Sequence, residues 1–411
     1  MISAISWVPR GAAKLVPVEA EPPTQEEIDE AIKAIAQHTE GGSDADEDAD
    51  DGEENGNMEI FSSGQGDLYY ASNDLDPYLK NNDEDDDDEE IEDMTIKPTD
   101  LMVNLLEETE DGDLNMFVHH EVPLADFPLC TAWMDFNLKG GDKGNFVAVG
   151  TMDPAIEIWD LDIVDEVQPH MVLGGHSKKK KKVKGKKAKK YKKGSHRSSV
   201  LGLAWNKEVR NVLASASADK TVKIWDVSVG KCAVTLEHHD DKSPEVLLSG
   251  SFDKSVAMND MKDGGQSCNK WSVEADVESL AWDPHNEHSF MVSLENGMVQ
   301  AFDKRTASSN SNSGRPTFTL HAHEKAVSSI SFSPSTPNFL ATGSTDKMVK
   351  LWDLSNNQPS CIASLNPKLG AIFSVSFSND SPFLLASGGS KGKLKVWNTL
   401  TEPAVANKFG K

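Results

Sequence analysis

Apolar and polar residues alternate in short runs through most of this chain. The clearest are AIEIWD (155–160), TVKIWD (221–226), MVKLWD (348–353) and LKVWN (394–398). A period of two over five or six residues predicts half-buried β-strands. Each run closes on a tryptophan: Trp159, Trp225, Trp352 or Trp397. Asp153, Asp219 and Asp346 stand six residues ahead of the first three. Two weaker copies, SVAMND (255–260) and MVQAFD (298–303), fall between them, and the closing positions step by 66, 34, 43, 50 and 45 residues. A second set of alternating runs lies between these and ends at Trp7, Trp133, Trp205, Trp282 and Phe332. It predicts inner strands with small residues toward a central axis. Trp271 fits neither set and is expected on an outer strand.

A repeat of about 40–45 residues that ends in Trp-Asp is the mark of WD-repeat blades, each a small antiparallel sheet stacked around a channel. The expected fold class is all-β: a single WD-repeat β-propeller, seven-bladed, with two incomplete blades. Residues 1–9 would supply the inner strand of the first blade. Residues 10–94 would be an acidic insertion, and residues 95–411 the propeller. Two units are short. His238 precedes Asp253 by only 15 residues, against 23 for His196–Asp219 and His323–Asp346, so about eight residues of an inner strand are missing. We read this as a splice variant or a gene-model deletion rather than a degenerate blade. Residues 95–122 have room for two or three short strands and no closing tryptophan.

Charge divides the chain. Residues 1–94 carry 29 acidic and 4 basic side chains; the remainder carries 38 and 37. Like charges at the density of residues 44–54 and 83–93 repel and bury no apolar surface, so disorder is expected there. A Thr24/Glu27 capping box and an Ile28, Ala31, Ile32, Ile35 face predict a short amphipathic helix near 24–38, a docking element for a partner or for the propeller itself. Ser43 has Asp46 three residues on, the pattern of an acidic kinase site. A loop at 177–195, expected to be disordered, holds Lys178, Lys179, Lys180, Lys181, Lys182, Lys184, Lys186, Lys187, Lys189, Lys190, Lys192 and Lys193. Such lysines suit a nuclear import receptor, or phosphate backbones without sequence readout. With Tyr191 as its one aromatic, the loop is not a base-stacking platform.

Candidate chemistry is structural rather than catalytic. His196, Ser217, Asp219 and Trp225, and again His323, Ser344, Asp346 and Trp352, repeat one constellation. A nucleophilic site is needed once, whereas repetition points to buried hydrogen-bond tetrads in which a Ser or Thr bridges toward the indole N–H. Asp353 is expected at the exposed end of its Trp-Asp pair. The four cysteines lie far apart without a C-x-x-C pair, and the histidine pairs lack companion carboxylates. No catalytic residue, metal site, cofactor or disulfide is therefore expected, and a reducing, intracellular compartment fits. No stretch approaches 18 apolar residues, and residues 1–14 lack a basic start followed by a long apolar run. Neither a membrane partner nor a secretory signal is expected.

Together the AISWVPRG start, the acidic arm, SNDLDPY (72–78), IKPTD (96–100), VHH (118–120), IEIWDLDIVD (156–165) before the Lys-rich loop, the run from Trp205 to Asp226 and GSFDKSVAMND (250–260) resemble the periodic tryptophan protein 1 family. That resemblance implies a non-enzymatic nuclear and nucleolar scaffold in ribosome biogenesis, acting in ribosomal RNA production and large-subunit assembly. The implied partners are pre-ribosome proteins, an import receptor and pre-rRNA, with the chain a monomer within a larger complex. An alternative is a chromatin- or histone-binding factor at ribosomal DNA. A second is a cullin ubiquitin-ligase substrate receptor, because Phe302-Asp303-Lys304-Arg305 approximates a W-D-x-R docking motif.

Overall fold

In the computed structural model, residues 1–14, 16–20, 101–108, 114–177, 190–237, 247–259, 268–305 and 315–410 are described. The expected helix near 24–38, Ser43, and the acidic runs 44–54 and 83–93 lie outside them. The alternating runs form strands, and successive strands form antiparallel meanders. After the short β1 (Val18–Glu19) comes a hairpin of β2 (Leu101–Glu108) and β3 (Leu114–Val122). The first sheet holds β4 (Pro128–Met134), β5 (Phe146–Thr151), β6 (Ala155–Asp160) and β8 (Met171–Gly174), with β7 (Ile163–Val164) in the connection. The second holds β9 (Val200–Trp205), β10 (Val212–Ser217), β11 (Thr221–Asp226) and β12 (Lys231–Glu237). The third has three strands, β13 (Leu247–Ser251), β14 (Ser255–Asn259) and β15 (Cys268–Ser272). The fourth holds β16 (Val277–Trp282), β17 (Ser289–Leu294), β18 (Met298–Asp303) and β19 (Phe318–His321). The fifth holds β20 (Ser329–Phe332), β21 (Phe339–Gly343), β22 (Val349–Asp353) and β23 (Ser360–Leu365). The sixth has three, β24 (Ile372–Phe377), β25 (Leu384–Gly389) and β26 (Leu394–Asn398), and a helix α1 (Pro403–Phe409) follows it.

The sheets stack side by side: β4 lies against β9, β13 against β16, β16 against β20, and β20 against β24. Apolar faces meet between them. Phe146 and Trp225 share a cluster across the first two sheets, and Trp271 on the outermost strand of the third sheet meets Phe290 edge-on across the next gap. Residues 1–9 join the last sheet to the first. Ile2 N–H donates to Gly389 O, and the Trp7 indole donates to Ser376 O at 3.1 Å. On the other side Ser3 donates to Pro128 O, and the Ser6 and Thr131 hydroxyls pair.

Several expectations change here. Six blade sheets are present among the described residues, and residues 1–9, expected as an inner strand, form no ladder. They make isolated bonds to the sheets on either side, and the β2–β3 hairpin packs on the Trp159 face of the first sheet through Val122, Leu101 and Val103, in one cluster with Val8. The third sheet begins at β13, with no separate inner strand among the described residues. Residues 10–20, assigned by their position to the acidic insertion, fold with the sheets. Lys14 N–H and Val18 N–H both donate to Asp162, and β1 pairs in parallel with β7. The C-terminal helix was not foreseen. It docks on the fifth sheet, with Phe409 4.7 Å from Phe339 and Lys408 2.7 Å from Asp353.

A shared turn builds the hairpins. Lys220, Lys254 and Lys347 directly follow Asp219, Asp253 and Asp346 and have φ of 67°, 62° and 76°, while Gly297 and Gly392 hold the matching place in the fourth and sixth sheets. This left-handed closing residue fits the twist of a short hairpin, and glycine adopts it with least strain. A lysine there costs about 1–2 kcal/mol, offset in part by its lower unfolded-state entropy. Lys347 is exposed, so Lys347→Gly should raise stability by about 0.5–1 kcal/mol in urea unfolding; a loss of stability would show that the lysine side chain contributes more than its strain.

Candidate functional site

The two predicted tetrads occupy equivalent places in the second and fifth sheets. His196 is completely buried ahead of β9, with Nδ1 3.1 Å from Asp219 and Nε2 2.7 Å from the Ser215 hydroxyl. The Trp225 indole donates to the same hydroxyl at 2.8 Å. In the fifth sheet His323 Nδ1 lies 2.8 Å from Asp346, Nε2 2.8 Å from Thr342, and the Trp352 indole donates to Thr342 at 2.9 Å. Each bridging hydroxyl thus serves both an imidazole and an indole, and every buried polar atom of the chain of bonds is satisfied.

The bridging residues differ from the sequence reading. Ser217 and Ser344 do not reach the tryptophans. Each sits at its strand end, accepts the N–H of Asp219 or Asp346, and donates to Ser198 O or Lys325 O. Ser215 and Ser217 share a strand face, so alternation alone does not separate them. Register does: Ser215 pairs with Lys223, two residues before Trp225, whereas Ser217 lies beyond the last pair with β11, Ala216 with Val222. The usable signal was a hydroxyl ten residues before the tryptophan and 19 after the histidine, present in both repeats. Elsewhere the constellation lapses. Val149 stands in the hydroxyl's place in the first sheet, and the Trp159 indole turns to Glu157. In the third and fourth sheets Asn259 and Phe302 stand in the tryptophan's place.

The aspartates serve the turns as much as the histidines. Asp219 accepts from the Thr221 hydroxyl and from the backbone N–H groups of Arg197 and Thr221. Burial pushes its carboxyl up, but these bonds and His196 outweigh it and hold the group below the usual carboxylate range. Asp346 is lowered in the same manner. Asp353, expected at an exposed end, is buried instead: it takes Lys408 from α1 and the Ser355 hydroxyl. Arg305 of the Phe302–Arg305 segment folds back onto Asp303 in an exposed ion pair.

Burial depresses His196 and His323 below the ordinary imidazole range, against the pull of their aspartates, and His120 and His170 are lowered by burial too. The sign follows. As pH falls through about 6.5 the unfolded chain takes up a proton on each imidazole while the folded chain does not, so stability present above that pH is lost below it. Melting temperature should therefore fall from pH 7 to pH 5, before the tetrad carboxylates titrate. A flat profile over that interval would mean that the buried imidazoles titrate as free ones do.

The Lys-rich loop has an ordered base. His176 and Tyr191 form a β-bridge with rings 4.9 Å apart, Ser177 N–H donates to Lys190 O, and Lys192 N–H to Gly175 O. Ser195 caps the stem by accepting from Gly175 N–H. The expected disordered stretch 177–195 therefore includes a hydrogen-bonded stem, because Tyr191 has a ring to pack against. Lys190, Lys192 and Lys193 lie on that stem; the other nine lysines, 178–189, lie outside the described residues. Among the described residues no three His, Cys, Asp or Glu side chains are grouped to hold a metal ion, and no helix is long and apolar enough to cross a membrane.

The WD domain, G-beta repeat family matches residues 187–226, 314–353 and 359–398. The first two windows each contain one full tetrad. The chain is 38% identical to an uncharacterized WD repeat-containing protein of Schizosaccharomyces pombe over 369 residues, 84% of this chain and 69% of that protein. It is 29% identical to the Periodic tryptophan protein 1 homolog of Drosophila melanogaster over 405 residues, 87% of this chain and 84% of that one. It is 34% identical to Periodic tryptophan protein 1 of Saccharomyces cerevisiae over 286 residues, 63% of this chain and 49% of that one.

Proposed function

Because this chain belongs to the periodic tryptophan protein 1 family of WD-repeat proteins, we propose that it is a non-enzymatic scaffold of ribosome biogenesis that works in the nucleus and nucleolus. The observation that supports this best is similarity along most of the chain, beyond the three repeat windows. The tetrads add to it: the groups that resemble a catalytic triad are satisfied inside the sheets. On this reading residues 1–9 and the β2–β3 hairpin make a seventh blade that closes the ring. The twelve lysines within residues 178–193 serve nuclear import and contact phosphate backbones, and pre-ribosome proteins bind the propeller surface.

Replacing the twelve lysines with Gln and Ser should leave a tagged protein largely cytoplasmic while it still unfolds in one cooperative transition. Unchanged nuclear accumulation with no co-imported partner would count against the import role. Affinity purification with and without nuclease tests the scaffold role. Co-purification of large-subunit precursors supports it; recovery of histones alone would favour the chromatin reading.

A further inference from the structure

The sixth sheet ends early, and its missing strand can be described from its neighbours. In each of the five preceding sheets an outer strand places one large apolar residue opposite a fixed position of the strand inside it: Leu173 opposite Ile156, Leu236 opposite Val222, Trp271 opposite Val256, Leu320 opposite Val299, and Leu365 opposite Val349. Two residues earlier, the four-stranded sheets carry Met171, Val234, Phe318 or Ala363, opposite Ile158, Ile224, Ala301 and Leu351. The equivalent positions of the sixth sheet are Leu394, opposite Gly388, and Val396. Among the described residues no strand pairs with the outer edge of β26, because the chain turns away through residues 399–401 and α1 docks on the fifth sheet. Val396 and Trp397 are accordingly only half-buried, whereas Ile158, Ile224, Ala301 and Leu351, the covered equivalents of Val396, are at most 4% exposed.

The edge also has a chemical preference. Thr399 N–H donates inward to Phe383 O, so by the two-residue period the N–H groups of Leu394 and Val396 point outward. Lys391 and Lys393 are exposed at the end of the strand, and Lys395 lies along it. Lysines on an open edge discourage pairing with arbitrary strands, and they favour one that carries acid. We propose that the outer edge of β26 is a docking site for an extended acidic segment of a partner protein. That segment adds as a fourth, antiparallel strand with an apolar-x-Leu core, its Leu opposite Leu394 and its other apolar residue opposite Val396. This is independent of the ribosome reading: it rests on the sheet edge alone.

The probe is an acetylated, fluorescein-labelled peptide Glu-Ser-Val-Thr-Leu-Glu-Glu, titrated into the full chain with anisotropy as the readout. Binding should weaken about tenfold when the peptide Leu becomes Asp or alternate peptide nitrogens are methylated. Val396→Pro, which removes an outward N–H and no ladder bond, and Leu394→Ser should each weaken it similarly while melting like the parent chain within a few degrees. In hydrogen exchange the peptide should protect the Leu394 and Val396 amides. The proposal is overturned by no binding, by equal binding of methylated and parent peptides, or by amides already protected without peptide, which would mean the edge is filled by this chain. Self-association abolished by Val396→Pro would assign the edge to a second copy and overturn it equally.

Discussion

Phe339→Ala should lower the stability of the chain by about 3–5 kcal/mol, the usual cost of deleting a buried aromatic ring. Phe339 is completely buried, and its ring meets Phe377, Phe383 and Phe409. The same ring therefore joins the fifth sheet, the sixth sheet and the C-terminal helix. Phe409→Ala should cost less, about 2–3 kcal/mol, because its ring is only partly buried. The double variant should be less damaging than the sum by roughly 0.5–1.5 kcal/mol, the coupling expected of an aromatic pair. Urea unfolding of the four proteins measures this. Strict additivity would mean that α1 does not rest on Phe339 in solution.

Thr342→Val should cost about 2–4 kcal/mol although it removes a single hydroxyl and conserves shape. It leaves both His323 Nε2 and the Trp352 indole N–H buried without their acceptor or donor, and each orphaned group costs about 1–3 kcal/mol. Ser344→Ala should cost nearer 1 kcal/mol, since Ser344 serves one turn and its partners lie nearer solvent. The ratio of the two is the informative quantity. Equal costs would return the bridging role to the residue at the strand end.

The fold was legible in the sequence wherever one residue's place depended on near neighbours. Alternation located the strands that end at Trp159, Trp225, Trp352 and Trp397, and the 23-residue spacing located both His–Asp pairs. What escaped depends on distant partners or on register. Ser215 and Ser217 look alike in sequence, and only the pairing with β11 decides which one reaches Trp225. Residues 10–20 carry no strand-like alternation; their place is set by Asp162, some 150 residues on. The exposed Asp353 of the sequence reading became a buried one because α1 returns over it with Lys408. The stem of the Lys-rich loop escaped because Tyr191 finds its partner, His176, across twelve residues outside the described ones.

The way residues 1–9 bridge the last sheet and the first has a consequence for synthesis. Trp7 donates to Ser376, and Arg10 N–H to Asp380, across separations of 369 and 370 residues. Ser3, Ser6 and Lys14 find Pro128, Thr131 and Asp162 early, but Trp7 and Arg10 wait for the sixth sheet before these partners exist. Each blade can form as it emerges, from contacts between adjacent strands, but joining Trp7 and Arg10 to the sixth sheet demands a loop closure of about 370 residues. Until then Trp7 and Ile5 stay in contact with solvent or a chaperone. A nascent chain stalled before residue 376 should therefore hold folded blades, with Trp7 still reactive to an indole-directed probe that the full chain resists.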